Sequence, residues 1–317
     1  MKPENNRLIS FLETYRLHHH PEKPVKQTDE TFFMLEKVFL NLFQLGLFET
    51  YSFLYQNCQS LAGFKDWIIS TKGKDLFDQA QAHFNLWQLP GPSAPVNVPT
   101  LNEQQFQFWE ENGYLKIDKI IADGDCEAVC EMICETLGVG LQNYDSWYPD
   151  HELLQGMMLQ IYQHPSIERI RNNDRVKAVF ANLYHNQNIL PNCEKVSYNP
   201  PVSPRYEFKG SPLHWDIDFD LGVKYYIQGL VYLNDVPEER GAFKLIPAFH
   251  HQIETHLKGY ENPELAINDL REKGIDIAIP GKKGDLILWL QAIPHAASPN
   301  LSNLPRFVQY VSFTLIS

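Results

Sequence analysis

The sequence predicts an α+β protein, with helices concentrated in its amino-terminal third and short strands in its carboxyl-terminal third. Two observations carry this. Between Glu30 and Asn57, large apolar residues recur three and four apart, which is the period of a helix face. Beyond residue 193, short segments rich in β-branched and aromatic residues are separated by Gly, Pro, Asn or Asp, the pattern of an all-β sandwich or barrel. At 317 residues the chain is long enough for two compact domains, and with 44% hydrophobic and 21% charged residues it can bury a core.

The elements follow in order. Glu30 to Asn57 (ETFFMLEKVFLNLFQLGLFETYSFLYQN) reads as helix interrupted near Gly46, and Gly73 to Trp87 as a second helical stretch. Their aromatic-rich faces must cover something. Packing on the following domain or on a second copy of the chain, which would make a homo-oligomer, is favoured over a partner-binding module. Residues 89–100 (LPGPSAPVNVPT) carry four prolines that remove backbone donors and hold the chain extended. This Pro-rich linker divides a helical region, 1–88, from a domain spanning 101–317. After it, LNEQQFQFWEENGYLKID reads as a short helix and a strand, and Asp123 to Leu137 as a helix that Asp123 or Asp125 could cap. The strand segments are CEKVSYN, KYYIQGLVYLND, GAFKLIPAF, GDLILWLQAI and RFVQYVSFTLI.

Charge and composition exclude several functions. Acidic residues outnumber basic ones 39 to 27, for a formal charge of -12, the wrong sign for a nucleic acid partner. No run of 18 apolar residues and no secretory leader is visible, so no membrane association and a cytoplasmic location are expected. Five cysteines at irregular spacing argue against a disulfide framework. Cys126, Cys130 and Cys134 form a stripe on a predicted helix and read as small buried hydrophobes rather than a metal cluster. His18, His19 and His20 stand in a polar segment and are expected in solvent; His250 and His251 would point to opposite faces if extended.

The informative segment is SPLHWDIDFD, residues 211–220. In a strand, His214 and Asp216 project from one face, so an imidazole nitrogen and a carboxylate oxygen can meet one metal ion. Residues 284–313 (GDLILWLQAIPHAASPNLSNLPRFVQYVSF) add a strand, then His295, a turn, and Arg306 opening another strand. Two histidines and one carboxylate on one face of an ion form the facial triad of non-haem Fe(II) oxygenases, with positions left open for reactants. An arginine entering a barrel beside such a site requires an anion, because an unpaired guanidinium is costly to bury. A dicarboxylate cosubstrate supplies one.

On these residues, 101–317 resembles the phytanoyl-CoA dioxygenase family of Fe(II)/2-oxoglutarate-dependent oxygenases. The likeness runs from LNEQQFQFWEENGYLKI through PLHWD and IQGLVYLNDVPEERGAFKLIPAFHH to GDLILWLQAIPHAASPNLSNLPR, in the family's order. It implies a double-stranded β-helix, a jelly-roll barrel with surrounding helices, preceded here by the small helical region. It implies His214, Asp216 and His295 as ligands of Fe(II), and Arg306 as the anchor of the 2-oxoglutarate carboxylate. Asp218 and Asp220 share the parity of Asp216, but each further residue pair adds about 6.6 Å along a strand, so Asp216 is the expected ligand.

The implied activity is hydroxylation of an aliphatic carbon of a small-molecule substrate by O2, with release of succinate and CO2. No catalytic side chain beyond the metal ligands is required. Related halogenases carry a small residue at the Asp216 position, leaving room for chloride, so a carboxylate there favours hydroxylation; desaturation and demethylation stay open. Gln228 and Ser298 are candidate cosubstrate contacts, against roles as a satisfied barrel glutamine and a turn serine. Tyr198, Asn199 and Trp215 line the expected mouth or belong to the core. Arg205 and Lys209 either attract an anionic group or are merely solvated. Pro247, Ala248, Phe249 and His250 stand where many relatives have Pro-Gly-Ser-His. The rival to an oxygenase is a non-catalytic jelly-roll protein that binds a metabolite or partner around a structural metal.

Overall fold

The computed structural model describes residues 7–27, 29–88, 100–204 and 206–316. The expected linker, except Thr100, and the candidate Arg205 lie outside the described residues. The chain separates into two compact units. The first comprises Met1–Pro95, Asn186–Cys193 and Thr314–Ser317; the second comprises Val96–His185 and Glu194–Phe313. Two short pieces from beyond residue 101 thus count with the helical unit.

The first unit contains helices Arg7–His18, Glu30–Leu42, Leu47–Gln56, Leu61–Lys72 and Lys74–Leu86. Asp29 caps the second by accepting from the Thr31 N–H, and Ser60 caps the fourth through Gly63. The expected interruption falls at Gly46, whose N–H is taken by Glu49 at 2.7 Å as the next helix begins. The aromatic faces bury one another. Phe11 packs on Tyr15, Phe32, Phe39 and Phe84 at ring separations of 5.2–5.9 Å, and Phe43, Phe64 and Phe77 complete the core. His18 and His19, expected in solvent, are buried. The helix carries them to the side of Phe32 and Tyr51, where Gln27 N–H bonds His18 Nδ1 at 2.8 Å and the Tyr55 hydroxyl meets His19 Nδ1 at 3.0 Å.

Eleven strands lie among the described residues: β1 (Tyr114–Ile117), β2 (Leu154–Gln155), β3 (Met158–Leu159), β4 (Ile189–Pro191), β5 (Val196–Asn199), β6 (Ile227–Tyr232), β7 (Phe243–Leu245), β8 (Ile277–Ile279), β9 (Leu286–Leu290), β10 (His295–Ala296) and β11 (Arg306–Leu315). The larger sheet runs β1-β9-β6-β11-β5-β3-β2, with β4 also pairing β11; the smaller runs β10-β7-β8. Strand pairs β1–β9, β6–β9, β6–β11, β5–β11, β3–β5, β2–β3, β7–β10 and β7–β8 are antiparallel, and helices accompany them, so the α+β class is observed. The strands form two sheets and do not close into a continuous barrel.

The two faces of the larger sheet differ because side chains alternate along each strand. On one face of β11, Phe313 packs on Phe180 of helix Asp174–Leu183 and Gln309 Nε2 donates to Ile167 of helix Pro165–Arg171. On the other face stand Arg306, Tyr310 and Ser312, opposite Asn199, Leu230 and Gln228. Trp289 continues this row on β9, opposite Gln228. That polar-lined face carries the site.

Several local expectations change. Helix Asp123–Leu137 begins as expected, but its N-cap is Ala122 with no side-chain bond; Asp123 and Asp125 sit in the first turn, where a negative charge still favours the helix dipole. All five cysteines are free. Burial pushes the Cys126 thiol up to about 12 and Cys134 to about 11, so neither is a ready thiolate. Residues 211–220 are not a regular strand: His214 makes one isolated bridge to His295, and Phe219–Leu221 form a 3-10 turn capped by Asp218. No single helix among the described residues is long and apolar enough to cross a membrane.

Candidate metal centre

His214 and His295 are locked together by their main chains. The His214 N–H donates to the His295 carbonyl at 2.9 Å, and the His295 N–H donates back to His214 at 2.9 Å. Their rings therefore sit side by side, with centroids 4.5 Å apart. Asp216, two residues on, closes the triangle: its Oδ1 is 3.6 Å from His214 Nε2 and its Oδ2 is 3.4 Å from His295 Nε2. One ligand atom from each of the three lies within 4.8 Å of the others, and among the described residues these three make the one such metal-competent group.

The tautomers follow from backbone carbonyls, which can only accept. His214 Nδ1 meets the Pro212 carbonyl at 2.7 Å, and His295 Nδ1 meets that of Ile293 at 3.2 Å. Each Nδ1 thus carries the proton and each Nε2 turns its lone pair inward, the arrangement a metal requires. Burial, with the neighbouring His295, holds His214 below the ordinary imidazole range. Burial alone would raise the Asp216 carboxyl, but its close contact with His295 and the bond from the Gln228 amide outweigh that, and the group stays well below the usual carboxylate range. Two inward imidazole lone pairs and a carboxylate form a donor set ready to bind a cation.

Other side chains frame the triad. Gln228 Nε2 donates to Asp216 Oδ2 at 2.8 Å and Gln228 Oε1 accepts from Trp289 Nε1 at 3.0 Å. Trp289 and Phe243 lie against the His295 ring at 5.1 and 5.7 Å. Trp215 is held by the Ala292 carbonyl at 3.1 Å and packs on Phe219 and Phe249. Asp218 and Asp220 bond each other in the following turn.

Arg306 is only 2% exposed. Its Nη1 donates to the Gly241 carbonyl, while its Nε has no hydrogen-bond partner. Ser298, two residues past β10, spends its hydroxyl proton on the carbonyl of Ala242, just before β7, at 2.7 Å, and Asn199, opposite Arg306, donates to the Ser298 carbonyl at 3.2 Å. A buried guanidinium with an open donor fits an incoming carboxylate.

Tyr198 is a core residue, its hydroxyl donating to Trp147 at 2.9 Å, and Lys209 lies over the Tyr206 ring at 5.4 Å. Ala248 adopts the left-handed conformation at φ 59°, which glycine favours, and His250 next to it bonds the Glu110 carbonyl at 3.0 Å. One nearby group escaped the sequence reading. Lys195, just before β5, is pushed below the usual lysine range by burial, and the charges of Glu194 and Asp216 act on it. Its position directly before the inward-facing alternation of β5 was the available signal.

A profile of the phytanoyl-CoA dioxygenase family matches residues 109–308, a span that contains all four residues of the triad and its arginine. A Dictyostelium discoideum protein provisionally described as a phytanoyl-CoA dioxygenase is 22% identical over 259 residues, covering 65% of this chain and 73% of the relative. A methylphosphonate hydroxylase of Gimesia maris is 21% identical over 235 residues, covering 69% and 82%. Among solved structures, iron-bound EctD of S. alaskensis superposes with a TM-score of 0.52 at 16% identity, covering 72% and 88%. The epimerase SnoN, solved with Fe3+, alpha ketoglutarate and nogalamycin RO, gives 0.51 at 15% identity, covering 67% and 83%. With the profile spanning well over half of the sequence, the chain belongs to the phytanoyl-CoA dioxygenase family.

Proposed function

We propose that this protein is an Fe(II)/2-oxoglutarate-dependent dioxygenase that hydroxylates an aliphatic carbon of a small molecule, releasing succinate and CO2. The two antiparallel sheets are read as the major and minor sheets of a double-stranded β-helix. The observation that carries the proposal is the convergence of His214, Asp216 and His295, with ligand atoms within 4.8 Å of one another. Family membership brings Fe(II) as cofactor and 2-oxoglutarate as cosubstrate, and the residues fit both. Two neutral imidazoles and a carboxylate suit Fe(II), and the unpartnered Nε of Arg306 suits the far carboxylate of 2-oxoglutarate.

When bound, the iron supplies the oxidising chemistry that couples decarboxylation of 2-oxoglutarate to substrate oxidation. The protein's part is placement. His214, Asp216 and His295 would hold the ion between them, with room beside it for cosubstrate and O2. Arg306 orients the cosubstrate from its far end, with Ser298 and Asn199 supporting the main chain around that anchor. Gln228 stands on the carboxylate ligand, not on the space beside Arg306. Trp289 and Phe243 give the His295 side of the site an apolar wall. Because Asp216 fills the third ligand position with oxygen, hydroxylation is favoured over halide transfer.

The test is oxygen uptake by protein loaded anaerobically with Fe(II) and given 2-oxoglutarate. Uncoupled succinate formation that disappears in His295→Ala and drops in Arg306→Ala supports the reading. Absence of both iron binding and turnover, with candidate substrates present, overturns it in favour of a binding protein.

A further inference from the structure

We infer that Gln228 and Trp289 act as a positioning relay for the iron-ligating carboxylate, restricting Asp216 to a single coordinating oxygen; this inference rests on the reading of the triad as an iron site. Gln228 and Trp289 stand directly opposite each other on β6 and β9, so their side chains leave the sheet on the same face. Trp289 Nε1 has only a proton to give, and it gives it to Gln228 Oε1 at 3.0 Å. That bond fixes which end of the glutamine amide is which. The NH2 end is thereby turned toward Asp216, where it donates to Oδ2 at 2.8 Å.

The tryptophan is itself immobile. It is 2% exposed, wedged between Phe243 at 4.3 Å and the His295 ring at 5.1 Å. A rigid indole thus sets the amide, and the amide sets the carboxylate. By contrast, the Asp216 side chain is 51% exposed, so a polar partner is needed to restrain its rotamer. The relay supplies that restraint. An Oδ2 engaged by an amide is a poor partner for the ion, which leaves Oδ1 to coordinate alone. Single-oxygen coordination matters because three ligand atoms in all leave half of an octahedral shell for reactants, whereas a chelating carboxylate would occupy a fourth position.

The test compares wild type with Gln228→Leu, Trp289→Phe and the double variant. Anaerobic Fe(II) titration against a competing chelator reads affinity, and the visible spectrum of the Co(II)-loaded protein reads coordination number. Gln228→Leu is expected to bind Fe(II) about 10- to 100-fold more weakly and to shift the Co(II) spectrum toward a higher coordination number. Trp289→Phe should lose several-fold, and the double variant should be no weaker than Gln228→Leu, because the indole acts only through the amide. If Gln228→Leu fails to fold, Gln228→Asn, polar but too short to span both partners, carries the same expectation. Full affinity with an unchanged Co(II) spectrum in the glutamine variant overturns the relay, and so do additive losses in the double variant. Failure of wild type to bind Fe(II) is a different result, which overturns the iron-site reading itself.

Discussion

Replacing Arg306 with glutamine removes the one buried guanidinium that faces the site side of β11. Its Nη1 already serves the Gly241 carbonyl, so the unpartnered Nε edge is the part left for a carboxylate. A hydrogen bond to a charged partner contributes about 1.5–3 kcal/mol, and losing the positive charge in a site only 2% exposed places the effect at the upper end. About 3 kcal/mol corresponds to roughly a hundredfold in affinity. Arg306→Lys keeps the charge but not the planar fork, so it should fall between the two, near tenfold. The assay is calorimetric titration of 2-oxoglutarate into Mn(II)-loaded protein under anaerobic conditions, alongside KM for 2-oxoglutarate in succinate release. Thermal unfolding adds a check: saturating 2-oxoglutarate should raise the wild-type melting temperature and leave that of Arg306→Gln almost unmoved. Equal cosubstrate affinity in wild type and Arg306→Gln would refute the assignment of the anchor.

Three further expectations concern other links of the argument. Because burial holds His214 below 6.5, it stays neutral as pH falls to that value; Fe(II) retention in stepped dialysis should be flat to about pH 6.5 and decline only below it. In the metal-free protein the same shift acts on folding: the unfolded chain takes up that proton first, so urea midpoints should fall as pH drops below 6.5. Ala248 occupies a left-handed backbone at φ 59°, so Ala248→Val, β-branched, should cost about 2 kcal/mol in chemical denaturation, whereas Ala248→Gly should be near neutral. In the helical unit, burial would raise the Glu36 carboxyl, but the nearby His19 ring, the charge of Lys37 and the Tyr15 and Tyr51 hydroxyls bring it below the ordinary value; Tyr51→Phe, which deletes the 3.0 Å bond, should lower stability by about 1–3 kcal/mol.

Much of the second unit was legible because its signals are local. Helix Asp123–Leu137 and the strands β5, β6, β9 and β11 fall inside the segments that period and β-branched content mark out. The candidate metal ligands were legible only through motif order, since His214 and Asp216 do not lie in the regular strand that spacing suggested; a single bridge to His295 aligns them instead. What escaped the sequence depends on partners distant in the chain. Nothing near His19 announces Glu36 and Tyr55, which draw it into the interior. Gln228 looked like a cosubstrate contact because its strand parity points inward; only the fold reveals Asp216 and Trp289 at its two ends. The charge of Asp123 suggested a cap, yet Asp123 is the first helical residue and the capping position falls at Ala122, which has no side-chain acceptor.

The reciprocal main-chain bonds between the two histidines have a consequence for metal traffic. Ligand spacing is established by the peptide backbone before any ion arrives, so the socket is rigid and selects by donor chemistry rather than by inducing its own shape. A preformed nitrogen-rich socket of this kind ranks first-row divalent ions in the general order of their affinities, in which copper and zinc exceed iron. Correct loading therefore depends on which ions surround the protein as it folds and afterwards, and purification in the presence of trace zinc should yield well-folded, inert material that a chelator and ferrous salt restore.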